Sequence, residues 1–139
     1  MDVRLMWWPA FAMVALTIAV WFCMYRKRIN EMKRERIHPQ SIATSATIAA
    51  RLKDTNCADN FKNLFELPVL FYLALVIAVL TLQVNSLTLT LAWSFVTLRV
   101  VHSGIQCTYN KVLHRFYAYF AGGIALWTLW AVLAFGLLK

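Results

Sequence analysis

The sequence predicts an all-α membrane protein, an antiparallel four-helix transmembrane bundle, and three observations carry that expectation. Of the 139 residues, 61% are hydrophobic and 14% charged, with a mean hydropathy of +0.61; a soluble domain is about 45–50% apolar and about 25% charged. Long stretches carry no charge at all: residues 5–25, 67–98 and 116–138. Fourteen Lys and Arg stand against six Asp and Glu, a net charge of +8, and the basic residues cluster between the apolar runs. Six Trp, five Tyr and nine Phe exclude a disordered chain, and four Gly with three Pro leave no material for a turn-rich β-sandwich or a collagen-like repeat. Length and the lack of any linker or repeat point to one four-span domain over residues 1–139.

Taken in order, residues 5–25 are long enough, at 1.5 Å per residue, to cross a hydrocarbon core of about 30 Å. The length of the run and bulky Trp21, Phe22 and Tyr25, where a small-residue cleavage site would lie, favour a stop-transfer helix over a signal peptide. Arg26-Lys27-Arg28 follows as a stop-transfer signal, and Trp7, Trp8, Trp21 and Tyr25 sit where interfacial aromatic anchors do. The first helix is expected to run on past the membrane surface until Pro39, with Glu31 paired to Arg34 along it. Residues 41–51 suit a small surface helix or a packed loop, and Asp59 is a candidate N-cap for the second span. The run 67–98 is too long for one span and is interrupted by Gln83-Val84-Asn85-Ser86, which reads as a tight turn between antiparallel helices, because backbone left unpaired in lipid is not tolerated. The expected spans are therefore about 5–25, 64–83, 86–105 and 116–138.

Counting Lys and Arg orients them. Residues 26–65 carry nine, and Lys111 and Arg115 lie between the third and fourth spans, whereas the opposite side has only Arg4 and Lys139. The positive-inside rule then places both termini on the non-cytoplasmic side. Attraction to anionic headgroups accounts for the basic surplus. No base-reading motif accompanies it, so nucleic acid is not an expected partner.

The polar residues at membrane depth are the candidate site. Asn63 and Glu66 are spaced i,i+3 near the start of the second span; Arg99 and His102 repeat that spacing near the end of the third, with Gln106 one turn further. An intramembrane arginine costs a few kcal/mol unless compensated, and Glu66 at the same depth is the expected ion-pair partner of Arg99. Tyr109, Asn110, His114 and Arg115 crowd the next connection. Two readings stand at this level: these groups act as glue between helices, or they form a ring that binds an anionic ligand. Cys23, Cys57 and Cys107 show no C-x-x-C, and His38, His102 and His114 show no ligand spacing. The expectation is therefore small hydrophobic cysteines, no disulfide framework and no metal site.

Asn63-Leu64-Phe65-Glu66-Leu67-Pro68-Val69-Leu70-Phe71 resembles the N-x-x-E-(x)-P-x-x-F signature of the MAPEG family, membrane-associated proteins in eicosanoid and glutathione metabolism. Arg99-Val-Val-His102, followed by Tyr109-Asn110 and Arg115, is similar to that family's second signature. Bacterial-type members resemble the chain most, which implies a bacterial inner membrane. The resemblance implies a homotrimer with glutathione as co-substrate in a cleft between subunits near the cytoplasmic face. Asn63, Glu66, His102 and Tyr109 would bind it, and Arg115 and Arg99 would be the catalytic cations that hold its thiol as thiolate. The activity implied is a glutathione-dependent transferase or peroxidase acting on lipophilic substrates. Two positions depart from the family: Asp59 replaces an arginine carried by many glutathione-using members, and Gln106 replaces a frequent tyrosine. They motivate the alternative, a non-catalytic structural or accessory subunit of a larger membrane complex, since function belongs to the site rather than the scaffold.

Overall fold

The computed structural model describes residues 2–138, and among them every regular element is helical. After a 3-10 turn, Val3–Met6, α1 runs over Trp7–Arg34. It stops short of Pro39: Arg36 takes a left-handed φ of 53°, and the Ile37 amide reaches back to the Met32 carbonyl at 2.9 Å, the closure expected when the residue just past a helix turns left-handed. A second 3-10 turn, Pro39–Ile42, leads into α2, Ser45–Arg51, opened by a reciprocal Thr44–Thr47 capping box. Next come α3, Asn56–Asn63, and α4, Leu67–Leu80.

Asp59 does not cap the second span. Thr55 precedes α3, and Asp59 lies within that helix's first turn, where its carboxylate accepts from the Thr55 hydroxyl at 3.0 Å. The chain is helical earlier than expected because 56–63 forms its own amphipathic turn pair before Pro68 allows α4 to start. Glu66 falls between the two helices, with φ −95° and ψ −103°, so it shares no helical face with Asn63. Glu31 departs from expectation too. It is buried and accepts the backbone amides of Lys53 at 2.7 Å and Asp54 at 3.3 Å, while Arg34 pairs with Glu35. A buried carboxylate satisfied by two amides stabilises more than an exposed i,i+3 pair would.

Leu82, at φ 56°, and the Gln83 amide bonding to the Ala78 carbonyl close α4. Asn85 then caps α5, Ser86–Cys107, accepting from the Thr88 amide at 3.0 Å. Asn110, at φ 48°, turns the chain into α6, Val112–Leu137; Asn is one of the few residues that enter this region cheaply. The antiparallel run of α5 and α6 follows from their contacts. Gln83 reaches the Leu133 carbonyl, Leu98 and Phe95 face Gly122, and His102 faces Arg115. At Gly122 an added Cβ would lie 3.6 Å from that of Leu98, so the helices touch closely there. The α1, α4, α5 and α6 helices share one core in which Phe71 stacks on Phe95 at 4.5 Å over Met13, Leu126 and Leu129.

Large apolar side chains face outward along α1 (Trp8, Phe11, Ile18, Phe22) and α6 (Phe116, Phe120, Ile124, Trp127). A water-soluble surface does not carry belts of this size. Three helical stretches are long and apolar enough to cross a membrane: Val3–Arg34, Asn56–Leu80 and Val112–Leu137. The α5 helix is of comparable length but carries Arg99, His102, Ser103 and Gln106 on its buried side; it falls short on apolarity because its polar groups are used inside.

Candidate functional site

On α5, Arg99, His102, Ser103 and Gln106 follow the i, i+3, i+4, i+7 pattern of a single helical face, and all four are buried. Two elements meet that face. From α3 come Asn60 and Asn63, one turn apart; from α6 come Arg115 and Tyr119, likewise one turn apart. The left-handed Asn110 sets the register of α6 against α5, and its side chain accepts from the Arg115 guanidinium at 2.8 Å while donating to Asn56 at 2.9 Å.

A chain of polar contacts crosses the face. Asn63 donates to the Gln106 carbonyl oxygen at 3.1 Å, Gln106 lies 2.9 Å from the His102 Nε2, and His102 Nδ1 meets the Arg115 carbonyl oxygen at 3.1 Å. Both His102 ring nitrogens thus face oxygens, one of the Gln106 side chain and one of the Arg115 backbone, and the two contacts together orient the imidazole. A parallel contact runs from the Ser103 hydroxyl to the fully buried Asn60, whose amide donates to the Cys107 sulfur at 3.5 Å.

Arg99 is the outlier. It is 1% exposed, and none of its three guanidinium nitrogens has a hydrogen-bond partner. The expected Glu66–Arg99 ion pair is not made. The ion pairs among the described residues are Lys27–Asp54, Arg34–Glu35 and Lys62–Asp59. Tyr119 stands between the two residues instead. Its ring lies 4.4 Å from the Arg99 guanidinium carbon and its hydroxyl donates to Glu66 at 3.4 Å; Phe95 flanks the guanidinium at 5.3 Å. The reason is local: Glu66 sits in the irregular link before Pro68 and points out of the chain, so its carboxylate does not enter the buried face around Arg99. Aromatic faces attract a cation by about 2 kcal/mol when desolvated, less than the cost of burying a charge with no anion and no hydrogen bonds.

Of the six residues expected to form the site, Arg99, His102 and Asn63 converge with Gln106 on one face. Glu66 joins through Tyr119, and Arg115 joins through its backbone carbonyl while its guanidinium is held by Asn110. Tyr109 does not join: it is exposed and contacts His114 at 3.1 Å. Tyr119, which follows Arg115 in the polar group after the third span, has no assigned role in the sequence reading, and Asn60 escapes it altogether, although it lies one turn from Asn63 and that spacing is the available signal. Asp59 is turned to Thr55 and Lys62 rather than to Arg99.

The cysteines correct the sequence reading. Cys23 of α1 and Cys57 of α3 are joined as a disulfide, and the Cys107 sulfur at the end of α5 completes a cluster in which all three sulfurs lie within 4.8 Å of one another. Spacings along the chain carry no trace of this, because the packing of α1 on α3 and of both on α5 creates it.

No curated protein and no solved structure matches the chain. The sequence profile of the MAPEG family matches residues 6–135, which takes in α1 through most of α6 and every residue of the buried polar face. With nearly the whole length matched, and with apolar helices suited to a bilayer built around that face, this membrane protein belongs to the MAPEG family.

Proposed function

We propose that the chain is a glutathione-dependent transferase or peroxidase for lipophilic electrophiles. In this reading it is a four-span, homotrimeric bundle in a bacterial inner membrane, with its termini on the non-cytoplasmic side and the glutathione cleft near the cytoplasmic face. The supporting observation is Arg99: a fully buried guanidinium with no anion and no hydrogen bond. A group in that state lacks a partner, and a carboxylate of an anionic tripeptide supplies the missing charge and acceptors together. The residues around it fit such a ligand. Asn63 and Gln106 offer amides, His102 has a fixed ring, and Glu66 with the Tyr119 hydroxyl offers an acceptor and a donor for the ligand's ammonium and amides. Glutathione supplies a nucleophilic thiol of ordinary pKa about 8.5 that is reactive only as thiolate. Arg115, half-buried at the mouth of the α5–α6 connection, is the cation that favours the thiolate, and Arg99 is the second. Outward Trp, Phe and Leu side chains put the lipophilic partner within reach from the bilayer.

Equilibrium dialysis with labelled glutathione, together with turnover of an activated aryl halide, tests this reading. Binding in the millimolar range or tighter, lost in Arg99→Met, supports it; no binding at millimolar glutathione ends it. The accessory-subunit reading is favoured by one observation, that Asp59 faces Lys62 and Thr55 and adds no cation to the site. Co-purification with a larger complex in mild detergent, together with failure to bind glutathione, would establish that alternative.

A further inference from the structure

Cys23, Cys57 and Cys107 come from three different helices, and their sulfurs lie within 4.8 Å of one another beside the middle of α1. We propose that in its reduced state this cluster is a binding site for one soft monovalent d10 cation, Cu(I), held by three thiolates.

Geometry comes first. Three metal–thiolate bonds of about 2.3 Å require sulfurs about 4 Å apart, and the three sulfurs already lie within 4.8 Å of one another. The donor set comes second. Thiolate sulfur selects soft ions, and among the described residues the cluster comprises three cysteines with no histidine or carboxylate. Structural zinc takes four protein ligands, whereas three thiolates complete a trigonal Cu(I) site. The surroundings come third. Asn60, with no exposed surface, donates its amide to the Cys107 sulfur at 3.5 Å and is itself held by Ser103. This is the outer-shell orientation that ligating groups usually have. Lys27 bonds the Cys107 carbonyl oxygen at 3.1 Å and is itself paired with Asp54 at 3.0 Å, so it fixes the end of α5 beside the sulfurs. Cys57 is 1% exposed and Cys23 and Cys107 are half-buried, so the site is enclosed on the Cys57 side.

The chemistry balances. A thiol or phosphine reductant delivers two electrons to the Cys23–Cys57 bond and is itself oxidised, the thiol to a disulfide and the phosphine to its oxide with oxygen from water. The two protons that complete the cysteine thiols come from the reducing thiols or from that water. Cu(I) then accepts one electron pair from each sulfur while three thiol protons leave to solvent, with no change in the metal's oxidation state. Disulfide and metal site are thus alternative states of the same cysteines, and the inference is independent of the glutathione reading.

The test uses the full chain in detergent, reduced with a phosphine under nitrogen and titrated with Cu(I) against bathocuproine disulfonate. One Cu(I) per chain should be withdrawn from the chelator, and X-ray absorption should report three sulfur neighbours. Cys107→Ser should weaken Cu(I) binding at least 100-fold, and Asn60→Ala about 10- to 100-fold. Prior loading with Cu(I) should block reformation of the Cys23–Cys57 disulfide in air. The proposal is overturned if the reduced protein takes no Cu(I) from the chelator, if Cys107→Ser binds as the parent does, or if Zn(II) displaces Cu(I) at equal concentration. Where a cysteine variant fails to fold, as judged by circular dichroism, the sulfur count of the parent decides: three supports the site and two overturns it.

Discussion

Arg99 is held by two aromatic faces and nothing else. Its charge is costly in the ligand-free chain, and removing it should therefore not destabilise the protein as removal of a paired charge would. Arg99→Met keeps the length and apolar stem and drops the desolvated cation, and exchange of buried charge for well-packed apolar atoms is commonly neutral or stabilising by about 1–4 kcal/mol. We expect its thermal midpoint in detergent to equal or exceed the parent's, with glutathione binding abolished. A fall of several degrees would show that Arg99 has a structural partner. Glu66→Gln belongs with it. The carboxylate is exposed and touches only the Tyr119 hydroxyl, so stability should change by no more than about 0.5 kcal/mol. Tyr119→Leu removes a cation–π face 4.4 Å from a buried guanidinium and should cost about 2 kcal/mol. Thermal unfolding of the two variants side by side separates an ion pair, in which Glu66 dominates, from an aromatic cradle, in which Tyr119 does.

Among the elements, the connections carry the most legible energetics. The Glu31 carboxylate on α1 accepts two backbone amides of the chain entering α3, so it ties the long segment between α1 and α4 to the first helix. Glu31→Ala removes the acceptor of two part-buried amides and should cost about 1–2 kcal/mol, with hydrogen exchange at Lys53 and Asp54 accelerated more than elsewhere. At the opposite end, Asn85 and Thr88 satisfy each other's backbone at the start of α5. Asn85→Ala should lower stability by about 1 kcal/mol, measured by chemical denaturation in mixed micelles, while the site at the far end of α5 keeps its ligand affinity. If affinity fell with stability, α5 would be acting as a lever rather than as a fixed post.

For the molecule as a whole, one chain leaves too much unsettled polar surface to stand alone in lipid. Arg99 lacks partners, Glu66 is exposed beside it, and the broad apolar flanks of α1 and α6 fit either lipid or another copy. Ionisable groups at membrane depth face protein or water, and because Arg99 is already enclosed within one chain, it is exposed Glu66 that supplies the physical argument for a trimer whose subunit boundaries cover it. Native mass spectrometry from mild detergent should give three chains per particle, and a membrane-restricted carboxyl reagent should leave Glu66 unmodified. A dispersed monomer with Glu66 modified would contradict this assembly and, with it, the intersubunit cleft.

What the sequence determined by itself is whatever depends on transfer to lipid and on spacing along one helix. Uncharged runs with interfacial aromatics marked a helical membrane protein, and two short motifs were enough to name the family. The 99–102–106 spacing placed three polar groups on one face of α5, because helical periodicity is local. The tertiary structure alone decided which groups meet. Glu66 and Arg99 share a depth, and depth made them look like partners, yet a break before Pro68 turned one to solvent and let Tyr119 of α6 cover the other. Glu31 found backbone amides 22 and 23 residues away rather than its helical neighbour. Three cysteines with unremarkable spacings became one cluster, with Cys23 and Cys57 separated by 34 residues in sequence. Helical period and hydropathy are properties of one segment, whereas a contact between side chains on different helices depends on how those helices rotate and slide against each other, which is set by the packing of all of them at once.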